Sequence, residues 1–346
     1  MTEDALYRPV SWRDGRLRLL DQTLLPNRVE YREIASLDAA VEAISSMRVR
    51  GAPAIGIAAA YALAAIARDG GRGAVEEAAP TLAATRPTAV NLRWAVDRVL
   101  ARVIEAASSA DVAGIALDEA RRIHEEQREA DARMAADGAS LLDQGSALLT
   151  HCNTGPLATG GRGTALAVVI EAHRRGLVSD VFVDETRPRL QGAHLTTWEL
   201  AQHGIPHRLI ADSAAASIMA RGAVSAVFTG ADRIAHNGDT ANKIGTYSLA
   251  VVAGHHEVPF YIVAPTSTID PQSAGGGAIA IEQRDEAEVL TVGNEALTPD
   301  GTRALNPAFD VTPASLITAI VTELGVLRPP YLDSISEALT GSVATA

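Results

Sequence analysis

Residues 145–184 read GSALLTHCNTGPLATGGRGTALAVVIEAHRRGLVSDVFVD, and this stretch decides the fold. A short apolar run at 147–151 leads into a glycine-rich turn, a helical stretch at 164–175 and a second apolar run at 181–184. Two apolar strands separated by one helix predict a parallel pair joined by a right-handed crossover. The grammar repeats downstream. Apolar runs at 208–211, 226–229 and 260–264 alternate with helical stretches at 193–203, 214–221 and 243–255. Residues 141–346 are therefore expected to form a Rossmann-like parallel-sheet domain.

Upstream the pattern differs. Leu17 and Leu19, Leu24 and Leu25, and Val29 and Tyr31 alternate with polar positions, and Asp14-Gly15 and Pro26-Asn27 mark turns, which predicts short antiparallel strands. From Ser36 onward, apolar residues at three- and four-residue spacing predict helices over 38–47, 53–67, 89–107 and 112–142. Residues 1–140 are thus expected to form a mainly helical domain, and the chain as a whole reads as α/β. Within the fourth helix, His124, Glu125, Glu126, Arg128, Glu129, Asp131 and Arg133 form a charge-rich face, expected to be a solvated set of i,i+4 pairs.

Composition narrows the function. Of 346 residues, 47% are hydrophobic, which is enough for a packed core, and the net charge of −12 argues against nucleic acid and anionic membranes as partners. The opening MTEDALYRPVSWRDGR lacks the apolar core of a secretory signal, and the run at 52–67 is short for a membrane span of about 20 residues. A cytoplasmic location is expected. Cys152 is the single cysteine, which excludes an intramolecular disulfide and a multi-cysteine metal site. Lys243 is the single lysine among 30 basic residues, a compact ammonium in a chain that otherwise uses arginine.

Ligands of open parallel sheets bind beyond the C-terminal strand ends, so the residues there are the candidates. His151-Cys152-Asn153-Thr154-Gly155 follows the first strand, Asp184-Glu185-Thr186-Arg187-Pro188-Arg189 with Gln191 the second, Asp212-Ser213 the third and Gly230-Ala231-Asp232-Arg233 the fourth. The glycines at 161 and 163 do not make a dinucleotide fingerprint, because Leu166 stands where the third Gly or Ala belongs. Cys152 reads either as a small buried hydrophobe or, beside a turn rich in backbone amides, as a thiolate. Asp232 reads either as a turn residue or as an acid–base group. Arg50-Gly51-Ala52-Pro53 and Arg86-Pro87-Thr88 each open a helix with Arg and bare amides, a pattern that suits a phosphate or serves capping alone.

These motifs together resemble the methylthioribose-1-phosphate isomerase family, within the superfamily of translation initiation factor 2B regulatory-subunit-like proteins. The resemblance rests on Arg50-Gly51-Ala52-Pro53-Ala54-Ile55-Gly56, Arg86 to Leu92, Thr150 to Asn153, Asp184 to Gly192, Gly230 to Ile234 and Asn242 to Tyr247. It implies an aldose–ketose isomerase of methionine salvage that converts 5-methylthioribose 1-phosphate into 5-methylthioribulose 1-phosphate without metal or organic cofactor. It implies Cys152 and Asp232 as the catalytic pair; a protonated Asp232 would serve to open the sugar ring, provided that apolar surroundings from Ile234 and neighbouring strands raise its pKa. Arg50, Gly51, Ala52, Arg86, Gln191, Asn242 and Lys243 would bind a phosphorylated pentose, and the chain would be a homodimer. The departures at Thr154, Pro156 and Arg162 flank the catalytic loop and bear on the 5-substituent. A 5-deoxyribose 1-phosphate or ribose 1,5-bisphosphate isomerase, or a non-catalytic regulatory subunit, is the alternative.

Overall fold

The computed structural model describes residues 6–86, 90–107, 111–293 and 295–343. It divides into two compact units. One runs to Asp131 and takes in Thr154–Gly163; the other is Ala132–Asn153 with the chain from Thr164 on.

In the first unit, β1 (Val10–Arg13), β2 (Arg16–Leu20) and β3 (Tyr31–Ile34) form the expected antiparallel sheet. Leu24 ends a short 3-10 turn capped by Asp21 instead of joining a strand. The Ser36 hydroxyl accepts from the Ala39 N–H at 3.2 Å and so starts α1 (Leu37–Ser45), whose Ala40, Ala43 and Ile44 are buried. Next come α2 (Ala52–Ala84), α3 (Val90–Glu105), α4 (Val112–Ala139), which belongs to this unit as far as Asp131, and the single turn α5 (Pro156–Thr159). Gly71, at φ 65° and ψ −158°, breaks α2, so the predicted helix over 53–67 is continued by a second piece. By length and composition α2 is apolar enough to cross a membrane, yet most of its alanines, Ile55, Ile57 and Leu63 are buried in one core with Leu92, Val96 and Val99 of α3. Of the motif that opens α3, Arg86 is described; Pro87, Thr88 and Ala89 lie outside the described residues.

The second unit holds β4 (Ser146–Thr150), α6 (Ala165–Arg174), β5 (Val178–Asp184), α7 (Thr197–Gln202), β6 (Arg208–Ile210), α8 (Ala215–Met219) and β7 (Ala226–Thr229). After these come β8 (Arg233–Ala235), β9 (Thr240–Lys243), α9 (Thr246–His255), β10 (Phe260–Val263) and β11 (Ile269–Asp270). Last are α10 (Ala287–Leu290), β12 (Thr291–Val292), β13 (Glu295–Ala296), β14 (Phe309–Thr312), β15 (Ala319–Thr322), β16 (Gly325–Leu327) and α11 (Tyr331–Val343). The main sheet has the order β16-β15-β10-β7-β4-β5-β6, parallel except for β16. Successive strand residues face opposite sides, which explains the unbroken apolar runs. Leu148, Val181 and Phe228 pack with Leu166 and Val169 of α6, whereas Leu149, Phe182 and Val227 pack with Ile218, Leu249 and Ile335 of α8, α9 and α11.

Two expectations are corrected. The stretch at 243–255 is not one helix: Lys243 ends β9, and Gly245 at φ 104° turns the chain into α9. That strand belongs to a second sheet, β11-β8-β9-β14, where Asn242 pairs with Asp310 and Lys243 with Phe309. Its strands have two to four residues each, too few for a periodicity to show. Similarly, the predicted helix over 193–203 begins as a π turn, Gly192–Thr196, and becomes α-helical from Thr197.

The connectivity fixes the site. From β4 the chain passes to β5 and β6 on one side, then returns to β7 on the other side of β4. The C-terminal ends of β4 and β7 therefore flank a topological switch point, where open α/β sheets bind ligands.

Candidate active site

Thr150 and Phe228 are register partners at the ends of β4 and β7, and the Thr150 hydroxyl donates to the Phe228 carbonyl at 2.9 Å. Just beyond them the chain places Cys152 and Asp232. Cys152 is buried and holds a left-handed backbone at φ 65°. Its N–H donates to Thr186 Oγ1 at 2.9 Å, and its carbonyl accepts from Thr196 Oγ1 at 2.7 Å. Thr186 is also left-handed, and its N–H and that of Arg187 donate to the two oxygens of Asp212, each at 2.7 Å. Such backbone costs about 1–3 kcal/mol per residue and persists only where its surroundings over-determine it. Here three strand-end loops do so together. Asn153 adds a further tie by donating to Glu199 at 2.6 Å, both side chains buried.

His151 is braced on both sides. Its Nδ1 lies 3.0 Å from Asp184 Oδ2 and its Nε2 lies 2.9 Å from the Ile244 carbonyl. A carbonyl only accepts, so Nε2 carries a hydrogen, and Nδ1 shares a proton with Asp184. Burial opposes the imidazolium, but the hydrogen bond and charge of Asp184 outweigh it and hold the His151 pKa above its usual value. Burial also lifts Asp184, so the pair keeps its proton firmly. His151, Asp184 and Asp212 bring ligand atoms within 4.8 Å of one another. Both imidazole nitrogens and both Asp212 oxygens are already engaged, so the trio braces loops and does not form a metal centre.

The second sheet supplies Asn242 and Lys243. Asn242 is buried and donates to Thr246 Oγ1 at 2.9 Å. Lys243 Nζ donates to the Ala308 carbonyl at 2.8 Å and lies 4.2 Å from the centre of the Phe309 ring. Asp310 fixes the turn that follows, accepting from the N–H groups of Gly245 at 2.8 Å and Tyr247 at 3.1 Å. At Gly245 any Cβ would come within 2.7 Å of the His151 ring, so the turn and the imidazole depend on each other.

Three buried acceptors at this edge of the main sheet have no hydrogen-bond partner among the described residues: Asp184 Oδ1, Gln191 Oε1 and Thr229 Oγ1. A buried polar atom left unpaired costs about 1–3 kcal/mol, and two of these, Asp184 and Thr229, end β5 and β7, with Gln191 in the loop that follows β5. Gln191 was expected here from sequence; Thr229, Thr186, Thr196, Glu199 and Asp310 were not. Thr186 lies within a quoted motif but carries no signal of its role, and Asp310 sits on a strand too short to recognise.

Asp232 follows Ala231 in an exposed position, its N–H donating to the Ala241 carbonyl at 2.9 Å. The expected apolar enclosure near Ile234 is corrected: Ile234 points into the core while Asp232 faces solvent.

Arg50, Gly51, Ala52 and Arg86 lie in the first unit, and Arg50 and Arg86 are half-buried. Gly51 is the N-cap of α2 at φ 92°, with no side-chain cap, and a Cβ there would lie 2.1 Å from the Ala158 carbonyl oxygen. Only glycine fits. A helix N-terminus of this kind presents backbone N–H groups to an anion.

The sequence pattern of the Initiation factor 2 subunit family matches residues 48–329, and the chain belongs to that family. Within it the chain stands with the methylthioribose-1-phosphate isomerases. It is 52% identical over 334 residues to the Methylthioribose-1-phosphate isomerase of an Anaeromyxobacter species, covering 96% of this chain and 97% of the relative. It is 50% identical over 343 residues to the 5-deoxyribose 1-phosphate isomerase of Moorella thermoacetica, covering 96% and 97%. The crystal structure of 5-methylthioribose 1-phosphate isomerase from Pyrococcus horikoshii superposes with a TM-score of 0.93 at 41% identity, covering 99% of each chain. The resemblance read from the motifs is borne out.

Proposed function

We propose that this chain is an aldose–ketose isomerase of methionine salvage, converting 5-methylthioribose 1-phosphate into 5-methylthioribulose 1-phosphate. The observation that carries this reading is the placement of Cys152 and Asp232 beyond adjacent strand ends at the topological switch point. The unpaired acceptors Asp184 Oδ1, Gln191 Oε1 and Thr229 Oγ1 support it, since a sugar supplies hydroxyl donors.

The phosphate on C1 makes the substrate a cyclic acetal with no free aldehyde, so the ring must open before the C2 hydrogen can move. Asp232 donates a proton to the ring oxygen as its bond to C1 breaks, leaving C1 as an oxocarbenium. Two routes then balance. In one, the Cys152 thiolate removes the C2 proton, giving an enol that is reprotonated at C1 and releases its hydroxyl proton to form the ketone. In the other, the C2 hydrogen moves to C1 with its electron pair, and the C2 hydroxyl proton returns to the Asp232 carboxylate. The family motifs assign Arg50, the Gly51 and Ala52 amides and Arg86 of the first unit to the phosphate, and Lys243, Gln191 and Asn242 of the second unit to substrate binding.

The test is incubation of the purified protein with 5-methylthioribose 1-phosphate, followed by phosphorus NMR. A persistent aldose phosphate signal would sink the reading. Substrate deuterated at C2 separates the routes, since deuterium retained at C1 in ordinary water marks the hydride path. The 50% identity to a 5-deoxyribose 1-phosphate isomerase favours a second reading, with that sugar as preferred or additional substrate. Comparing kcat/KM for the two sugars decides between them.

A further inference from the structure

Asp131 lies on the face of α4 that reads as solvated, yet it is fully buried. Its Oδ2 accepts from three groups of one turn: the Thr159 hydroxyl at 2.8 Å and the N–H groups of Arg162 at 2.7 Å and Gly163 at 2.9 Å. Its Oδ1 accepts from the Gln127 amide at 2.7 Å. The Thr159 oxygen in turn accepts from the N–H groups of Gly161 and Gly163 at 3.1 and 3.0 Å. Two turns earlier on α4, His124 Nε2 donates to the Gly160 carbonyl at 2.8 Å, while Nδ1 accepts from the Tyr61 hydroxyl of α2 at 3.1 Å. Burial lowers the His124 pKa, in keeping with this neutral form. Every residue from Thr159 to Gly163 is thus tied to α4 directly or through one hydroxyl.

The same segment rests on the start of α2, because the Ala158 carbonyl occupies the space a Cβ at Gly51 would need. We propose that Asp131 is a positioning residue for the substrate phosphate: by holding the 159–163 turn it keeps Ala158 seated on Gly51, and so keeps Arg50 and the α2 amides in place. The inference rests on the pentose 1-phosphate reading. Burial lifts the Asp131 carboxyl to about 6, so near neutral pH the charged, acceptor-only form holds the turn. Without that acceptor the Arg162 N–H loses its partner and the Gly163 N–H keeps only the Thr159 oxygen, the turn relaxes, and phosphate is held less well in ground and transition states alike.

Such a loss appears in KM and not in kcat. The experiment compares Asp131→Ala, Asp131→Asn and Thr159→Val with the parent protein, each kinetically characterised with 5-methylthioribose 1-phosphate at a temperature where circular dichroism shows it folded. Asp131→Ala is expected to raise KM about tenfold or more while kcat stays within about threefold. Asp131→Asn, which keeps an acceptor oxygen, recovers most of the loss, and Thr159→Val falls between. An unchanged KM, or equal falls in kcat and kcat/KM, overturns the proposal; if Asp131→Ala does not fold, Thr159→Val carries the same criterion. A second arm needs no turnover. Inorganic phosphate is titrated against the Ala52 amide NMR signal, and its affinity is expected to weaken about tenfold in the same variant. A parent protein that binds phosphate without isomerising the sugar defeats the functional reading while the affinity difference still supports the positioning role. An affinity indifferent to Asp131 defeats the positioning role while turnover upholds the function.

Discussion

His151 Nδ1 faces Asp184 Oδ2 across 3.0 Å, with both side chains almost fully buried. A histidine whose pKa is raised on folding stabilises fully below its unfolded value near 6.5, and that contribution is lost as pH rises through the higher folded value. In Asp184→Asn the opposing burial is left without the compensating charge, and the imidazole pKa falls. The melting temperature of the parent should exceed that of the variant most below pH 6.5, and the gap should narrow as pH rises. A gap constant from pH 6 to 9 would show that the pair does not hold the proton.

Cys152→Ser and Asp232→Asn should each lower kcat by roughly 10²–10⁴-fold, the range of a lost acid–base or nucleophilic group. Both should leave phosphate affinity and circular dichroism unchanged, since Cys152 is anchored through its backbone and Asp232 is exposed. Steady-state kinetics alongside phosphate titration checks this.

Asp131 predicts a pH dependence of the opposite hand to an ion-paired carboxylate. Its folded pKa of about 6 stands above the usual 3.8, so the folded state binds the proton more tightly. Its contribution to stability therefore falls by about 3 kcal/mol as pH rises from about 4 to about 6, then levels off. The charged or titratable neighbours on its own helix are His124 and Arg128, and the turn brings Arg162 through its backbone. Denaturant unfolding of the parent and of Asp131→Asn should show the difference between them shrinking across that window.

Gly51→Ala should cost at least about 2 kcal/mol, because it adds left-handed strain to a clash with backbone. If the protein still folds, relief of the clash moves Arg50 or Ala158, and KM should rise with it. An alanine variant with parental stability and KM would remove Gly51 from the argument.

Lys243→Arg should raise KM roughly tenfold despite keeping the charge, since a planar fork does not reproduce an ammonium seated on one carbonyl and one ring face. A KM matching the parent would mean that only charge matters there.

Much of this was legible in the sequence where side chains repeat. The runs at 147–151, 181–184, 226–229 and 260–264 announced β4, β5, β7 and β10, because strands buried on both faces are apolar without interruption. Strand-end position singled out Cys152, Gln191 and Asp232 before any geometry. What stayed hidden depends on partners distant in the chain. Lys243 reads as helical until β14 is seen to pair with it. Asp131 reads as one more surface charge until Thr159, Arg162 and Gly163 close on it. Neither composition nor period encodes which acceptor a backbone N–H will find.

The return of the chain from β6 to the far side of β4 separates what must stay fixed from what is free to vary. Cys152 and Asp232 are set by two adjoining strands held in register at Thr150 and Phe228. Parts of the excursion between them that do not brace the strand-end loops, including the exposed tip of α7 and the start of β6, are expected to tolerate changes of length or sequence without altering the spacing of the two proposed reacting groups. On the proposed chemistry, such an architecture would let substrate preference vary while the two reacting groups keep their spacing.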